Sequence, residues 1–180
     1  MAKVNKTKYA LLGILSIKPA SGYDIKRTVD GSIGFFWNEN FGHIYPMLKR
    51  LEKEGLVKRR TRESEGRPVK NIYSLTAAGE KDLLRWLSKP SEENSIRNEM
   101  LLKLFFGRQI ERQKIVEMIS TERKKNVESL KKYSDIARII SQKKSPDALY
   151  WKFTLNFGMR RSEMIVSWCD ETLKAIDRMK

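Results

Sequence analysis

The sequence predicts a mainly α-helical chain with one small β-hairpin, split into an N-terminal part that contains the hairpin and a wholly helical C-terminal part. Three observations carry that expectation. Ile44, Leu48 and Leu51 recur at helical spacing, and the run stops at Gly55. Directly afterwards, Val57 to Arg62 and Val69 to Leu75 alternate basic or polar residues with apolar or β-branched ones, around a polar stretch from Glu63 to Pro68 that reads as a hairpin tip. From Asn98 onward there is no strand-like alternation, and glycine stands only at 107 and 158.

Taken in order, Lys3, Lys6 and Lys8 precede an apolar run from Tyr9 to Ile17 and imitate a signal peptide. The run is nine residues long, too short to span a bilayer, and Lys18 closes it just before another helix start. It is read as a core helix with Ala10, Leu11, Ile14, Leu15 and Ile17 on its buried side. Pro19 and Ala20 turn the chain, and Ser21 with Asp24 three residues on forms a capping-box pair for a short helix from Gly22 to about Val29. Asp30-Gly31-Ser32 ends it. The apolar connection Ile33 to Trp37 is expected to pack beneath the third helix, because aromatic side chains dominate core burial.

Pro46 falls inside that third helix, where it removes a backbone donor and its ring meets the carbonyl of Gly42. Either the helix starts late, near residues 43 to 45, or it bends at Pro46. At the far end Gly55 suits a left-handed stop, with Leu56 folding back on Leu51. A helix followed by a basic hairpin is the reading end of a winged helix-turn-helix. Thr76 then caps a helix over residues 77–87, with Leu83, Trp86 and Leu87 expected on the winged domain. The expected organisation is a winged domain over 1–88, a linker over 89–95 and a helical domain over 96–180.

In the C-terminal part, Asn98 to Phe106 reads as a short helix broken at Gly107, and a long helix runs from about Glu111 to Ser141. Pro146 is expected to start a last helix reaching Met179. That helix is apolar on more than one side: Tyr150, Phe153, Phe157, Met164 and Trp168 form one stripe, while Trp151, Leu155, Met159, Ile165 and Ile176 lie near a second. A second copy of the chain is expected to cover the surplus, with Val116, Ile119, Phe157, Met164 and Trp168 as candidate contacts. The alternative is a monomeric three-helix bundle.

Charge and residue chemistry narrow the function. The chain carries 37 Lys and Arg against 22 Asp and Glu, for a net charge of +15, so a polyanion is the natural partner. Between Lys49 and Lys70 there are nine Lys or Arg against four Asp or Glu. Double-stranded DNA fits best, since a helix fills the major groove while a basic arm lies on phosphates or in the minor groove. Asn40, His43 and Tyr45 are the candidates for base edges, Lys49 and Arg50 for phosphates, and Arg59, Arg60, Arg62, Arg67 and Lys70 for the hairpin arm. One cysteine, Cys169, and one histidine leave no zinc cluster and no His-based metal site, so neither metal nor cofactor is expected, and the cysteine usage suits a reducing cytoplasm. There is no P-loop, dinucleotide glycine pattern or nucleophile elbow, which argues against an enzyme. A sequence-indifferent architectural DNA binder and a winged-helix protein adaptor are the remaining rivals.

With these residues in view, the chain resembles the PadR family of bacterial transcription regulators over most of its length. The resemblance rests on Tyr9-Ala10-Leu11-Leu12-Gly13, Ser21-Gly22-Tyr23-Asp24-Ile25, Ile44-Tyr45-Pro46 with Leu48 and Leu51, Glu54-Gly55-Leu56-Val57, and Tyr73, Leu75, Thr76 and Gly79. It implies that Tyr45-Pro46 lies inside the reading helix. Beyond the linker, Asn98 to Gly107 and Val166-Ser167-Trp168 look like the longer-tailed branch, which includes phenolic-acid-responsive repressors and a virulence activator. That branch joins its homodimer through the C-terminal helices. Two winged domains held at a fixed distance are expected to act, as a repressor, on a two-fold related operator, and the family resemblance suggests a small aromatic or hydrophobic effector between the winged domain and the tail. Tyr9, Trp37, Trp151, Phe153 and Trp168 are the residues it would make candidates for lining that site.

Overall fold

The computed structural model describes residues 6–37, 41–64, 67–92 and 97–178. The chain divides into two compact units, Met1–Glu92 and Glu93–Lys180.

The first unit is framed by three helices. α1 (Lys6–Ile17) buries Leu11, Leu12, Ile14 and Leu15. α2 (Gly22–Asp30) is started by the expected capping box: Ser21 Oγ accepts the Asp24 N–H at 3.2 Å, and the Asp24 carboxylate accepts the Ser21 N–H at 3.2 Å. A 3₁₀ turn at Ile33–Phe35 then folds back on α2. Only part of this connection enters the core. Ile33 packs against it and Trp37 is half-buried, whereas Phe36 is exposed.

A second 3₁₀ turn, Phe41–His43, leads into α3 (Ile44–Lys53), so the late start is the correct alternative for Pro46. As the third helical residue Pro46 gives up an N–H that has no helical acceptor in the first turn, and the helix runs on unbroken. Ile44, Met47, Leu48 and Leu51 face inward. The helix stops as expected: Gly55 takes φ +70°, the Leu56 N–H reaches the Leu51 carbonyl at 2.9 Å, and the Gly55 N–H reaches Glu52 at 3.0 Å.

β2 (Val57–Ser64) and β3 (Arg67–Leu75) form the antiparallel hairpin, longer at its tip than the alternation suggested. A third strand escaped the sequence. β1 (Ala20–Ser21) pairs with Tyr73 and Ile72 of β3, giving the order β1-β3-β2. Two residues are too few to show an alternation, and the capping signal at Ser21 hides them. α4 (Ala77–Leu87) is capped by Thr76, whose Oγ1 accepts the Gly79 N–H at 3.1 Å and donates to the Gly55 carbonyl at 2.8 Å. Leu83 is buried and Trp86 stacks on Tyr9, but Leu87 is 61% exposed. With Trp86 directed at α1, a residue about 100° further round the helix is turned outward. Leu12, Ile25, Leu48 and Leu51 have no exposure at all, and each contributes roughly 2 kcal/mol on leaving water. Three helices backed by this sheet make the unit a winged helix-turn-helix.

Every described secondary-structure element of the second unit is a helix. α5 (Glu99–Phe105) is capped by Asn98, whose side chain accepts the Leu101 N–H at 3.0 Å. α6 (Arg112–Ser141) and α7 (Ala148–Asp177), 30 residues each, fold back on one another. α7 begins two residues after Pro146. Ser145 accepts the Asp147 N–H on its hydroxyl and the Ala148 N–H on its carbonyl, so residues 145–147 form a turn first. Ile119, Cys169 and Ile176 centre the core between the two helices, and Arg123 donates from Nε to Asp170 at 2.6 Å across them. Among the described residues no helix is long and apolar enough to cross a membrane.

Candidate nucleic-acid interface

α3 presents its outer side because its inner side is fully committed to the core. Tyr45 and Lys49, four residues apart, share one exposed face, and Tyr45 is 57% exposed. Its ring rests on the start of α2, where a Cβ on Gly22 would lie 2.5 Å from Tyr45 Cε1. Tyr45 is therefore seated as well as exposed. His43 is the exposed N-cap residue of α3, without a side-chain capping bond. With Thr7, Pro46, Met47 and Arg50 it lines an open hollow of about 270 Å³. Asn40 lies outside the described residues.

The basic side chains fall into two groups. Lys49, Lys58 and Arg60 are exposed and, among the described residues, meet no carboxylate. Arg50, Arg59 and Lys70 each have an acidic partner. Arg50 Nε lies 2.7 Å from Glu54 Oε1, Arg59 Nε lies 3.1 Å from Glu52 Oε1, and Lys70 Nζ lies 3.1 Å from Asp24 Oδ2. The first pair stays within α3 and its cap, while the other two tie the hairpin to α3 and α2. The side chains of Arg62 and Arg67 lie outside the described residues. Glu54 also takes Lys8 Nζ at 3.5 Å, and Lys8 in turn lies 2.8 Å from Asp82 on α4. The hydrogen bond from Arg50, with the charges of Lys8 and Arg50, outweighs burial and lowers the Glu54 pKa.

Asp24 is the most strongly fixed of these acids. The Ser21 hydroxyl bond, then Lys70 and the Ser21 N–H, outweigh burial and hold its carboxyl at about 2. In an unfolded chain an Asp titrates near 4, so this group stabilises the fold fully above about pH 4 and loses that contribution as pH falls toward 2. Asp24→Asn is accordingly expected to destabilise the chain at neutral pH, with the gap to wild type closing over that acid range. Urea midpoints measured against pH check it, and a gap independent of pH would refute the assignment.

The candidate effector residues divide between the two units. In the first, Tyr9 stacks on Trp86 at 4.5 Å, and Trp37 is half-buried with its indole Nε1 lacking a hydrogen-bond partner among the described residues. In the second, Lys143 Nζ lies 5.3 Å from the Trp151 ring centroid, Phe153 meets Tyr150 edge-on and is exposed, and Trp168 packs against the α6–α7 core. The candidate dimer contacts divide differently. Ile119 is completely buried in its own chain and cannot meet another copy, and Val116 and Trp168 pack against the same core. Phe157 and Met164 are 68% and 60% exposed, on one α7 face with Tyr150 and Phe153. Sequence spacing grouped Trp168 with the outward stripe of α7, whereas it packs inward, and only the neighbouring helix decides which side is used internally.

Known proteins match most of the chain. Residues 11–85 match the transcriptional regulator PadR-like family, and residues 96–177 match the virulence activator alpha C-term family. The negative transcriptional regulator PadR of Bacillus subtilis is 31% identical over 180 residues, covering 95% of this chain and 97% of that one. The crystal structure of Bacillus subtilis PadR in complex with operator DNA superposes with a TM-score of 0.82 at 29% identity, over 94% of this chain and 98% of that one. The same protein in complex with p-coumaric acid gives a TM-score of 0.76 at 28% identity, over 95% and 98% of the two chains. This chain belongs to the PadR-like family of transcriptional regulators.

Proposed function

We propose that the chain is a cytoplasmic repressor that binds a two-fold related operator as a homodimer and leaves it when a small aromatic acid binds. Residues 1–88 serve as the DNA-binding domain, and 96–180 as the dimerisation and effector domain. α3 enters the major groove with Tyr45 and Lys49 leading, while Lys58 and Arg60 follow the backbone from the hairpin. Two such helices, joined through the tails, address successive grooves. It acts by binding and not by catalysis. The observation that carries this reading is the outward face of α3 beside an exposed basic hairpin, on a chain 29% identical to an operator-bound relative. The effector part is supported by the p-coumaric acid complex of that relative. A ligand of this kind works by preferring a dimer whose wings are wrongly spaced.

The test is fluorescence anisotropy of the chain's own upstream region against calf-thymus competitor at fixed salt, with and without p-coumarate. A clear preference for the upstream fragment that p-coumarate abolishes is expected. Equal affinity for both DNAs would instead indicate an architectural binder acting by charge alone. Tight operator binding that no phenolic acid weakens would remove the effector class while leaving the operator reading intact.

A further inference from the structure

The basic surface of the winged unit is partly cancelled by its own acids, and the cancellation is built at fixed points. Glu54 cannot follow Arg50 freely, because Lys8 holds its other oxygen and Asp82 holds Lys8. Glu52 stands on α3 and takes Arg59 from the neighbouring strand. We infer that Glu52 and Glu54 are built-in counter-ions that keep Arg59 and Arg50 from neutralising phosphate, and so lower the chain's affinity for DNA of arbitrary sequence.

This counter-ion role rests on the DNA-binding reading above and on the charge that each pair presents to phosphate. Affinity for random DNA grows with each phosphate that a protein cation neutralises, since each neutralisation releases a condensed counter-ion. An arginine that stays with its glutamate releases none. One that moves to phosphate leaves a bare carboxylate facing the polyanion, and most of the gain is lost. Either way the pair contributes little to random binding. Discrimination is a difference of affinities, so suppressing the sequence-blind part raises it without any new base contact. A chain of net charge +15 has much sequence-blind attraction to suppress. Asp24 treats Lys70 in the same manner, but it also caps α2, so the glutamates give the cleaner test.

Glu52→Gln and Glu54→Gln, singly and together in the full chain, are compared with wild type on a random duplex across a salt series. Glu80→Gln, exposed in the first turn of α4, removes the same charge as a control. Each single variant is expected to bind random duplex more tightly and to steepen the slope of log affinity against log salt by about one unit. The double variant should steepen it by about two, and the operator-to-random ratio should fall. Slopes matching Glu80→Gln would overturn the inference while leaving the operator reading untouched. Weaker binding by either variant would also overturn it, because the carboxylate would then be aligning its arginine for DNA. Failure of wild type to bind any duplex would remove the operator reading, and this inference with it.

Discussion

Gly79→Ala is expected to be among the most damaging single-methyl changes in the winged unit. A Cβ at this position would lie 2.0 Å from the Leu56 carbonyl oxygen, 3.0 Å from its carbon and 2.9 Å from Leu75 Cδ1. Two of those three contacts are backbone, and that backbone is pinned: the Leu56 carbonyl accepts the Thr76 N–H at 3.1 Å, and the Leu56 N–H closes the stop of α3. Neither side can give way cheaply. α4 must lift, and lifting it pulls Thr76 off the Gly55 carbonyl and Leu83 out of the core. Overpacking of a rigid site costs about 1–3 kcal/mol, and the immobile carbonyl puts this one at the top of that range. The gain from replacing a helical glycine by alanine, about 1 kcal/mol, offsets only part of it. Urea unfolding should show a lower midpoint with an unchanged slope. A midpoint within error of wild type would show that α4 is free to shift.

How far such details were legible beforehand depends on the range over which they act. The capping box at Ser21 and Asp24, the Gly55 stop and the Thr76 cap are written in neighbouring residues, and each forms as spacing implied. The steric demand at Gly79 is not, because it comes from Leu56, 23 positions away, and no local pattern carries it. The same limit governs the candidate interface. Counting charges found Arg50, Arg59 and Lys70, and the fold then gave each of them a carboxylate from another turn or another element. Lys49, Lys58 and Arg60 look no different in the sequence, and only the positions of Glu52, Glu54 and Asp24 separate the two groups. Ile119 fails as a dimer contact for a related reason: helical spacing marks an apolar face without saying whether the cover is α7 or another copy.

Phe157→Asp is expected to separate the two copies and with them the two wings. Tyr150, Phe153, Phe157 and Met164 stand three, four and seven residues apart, so they line one face of α7 over roughly 20 Å, and each is at least 60% exposed. An apolar strip of that length is unusual on a surface meant for water. Because Phe157 touches so little of its own chain, an Asp there leaves the α6–α7 core intact. In a dimer the new carboxylate would be buried against an apolar partner face, which costs several kcal/mol. Sedimentation should therefore show a monomer, whereas Asn156→Asp, the same charge about 100° round the helix, should remain dimeric. The functional loss is larger than the interface suggests. Linked wings bind the second half-site at a high effective concentration, and unlinking them is expected to lower operator affinity by about 10²–10⁴-fold. Random-duplex affinity should fall far less, since it depends on the charge of each wing. A Phe157→Asp chain that still sediments as a dimer would move the interface off this face of α7. A monomer that keeps full operator affinity would show that one wing suffices.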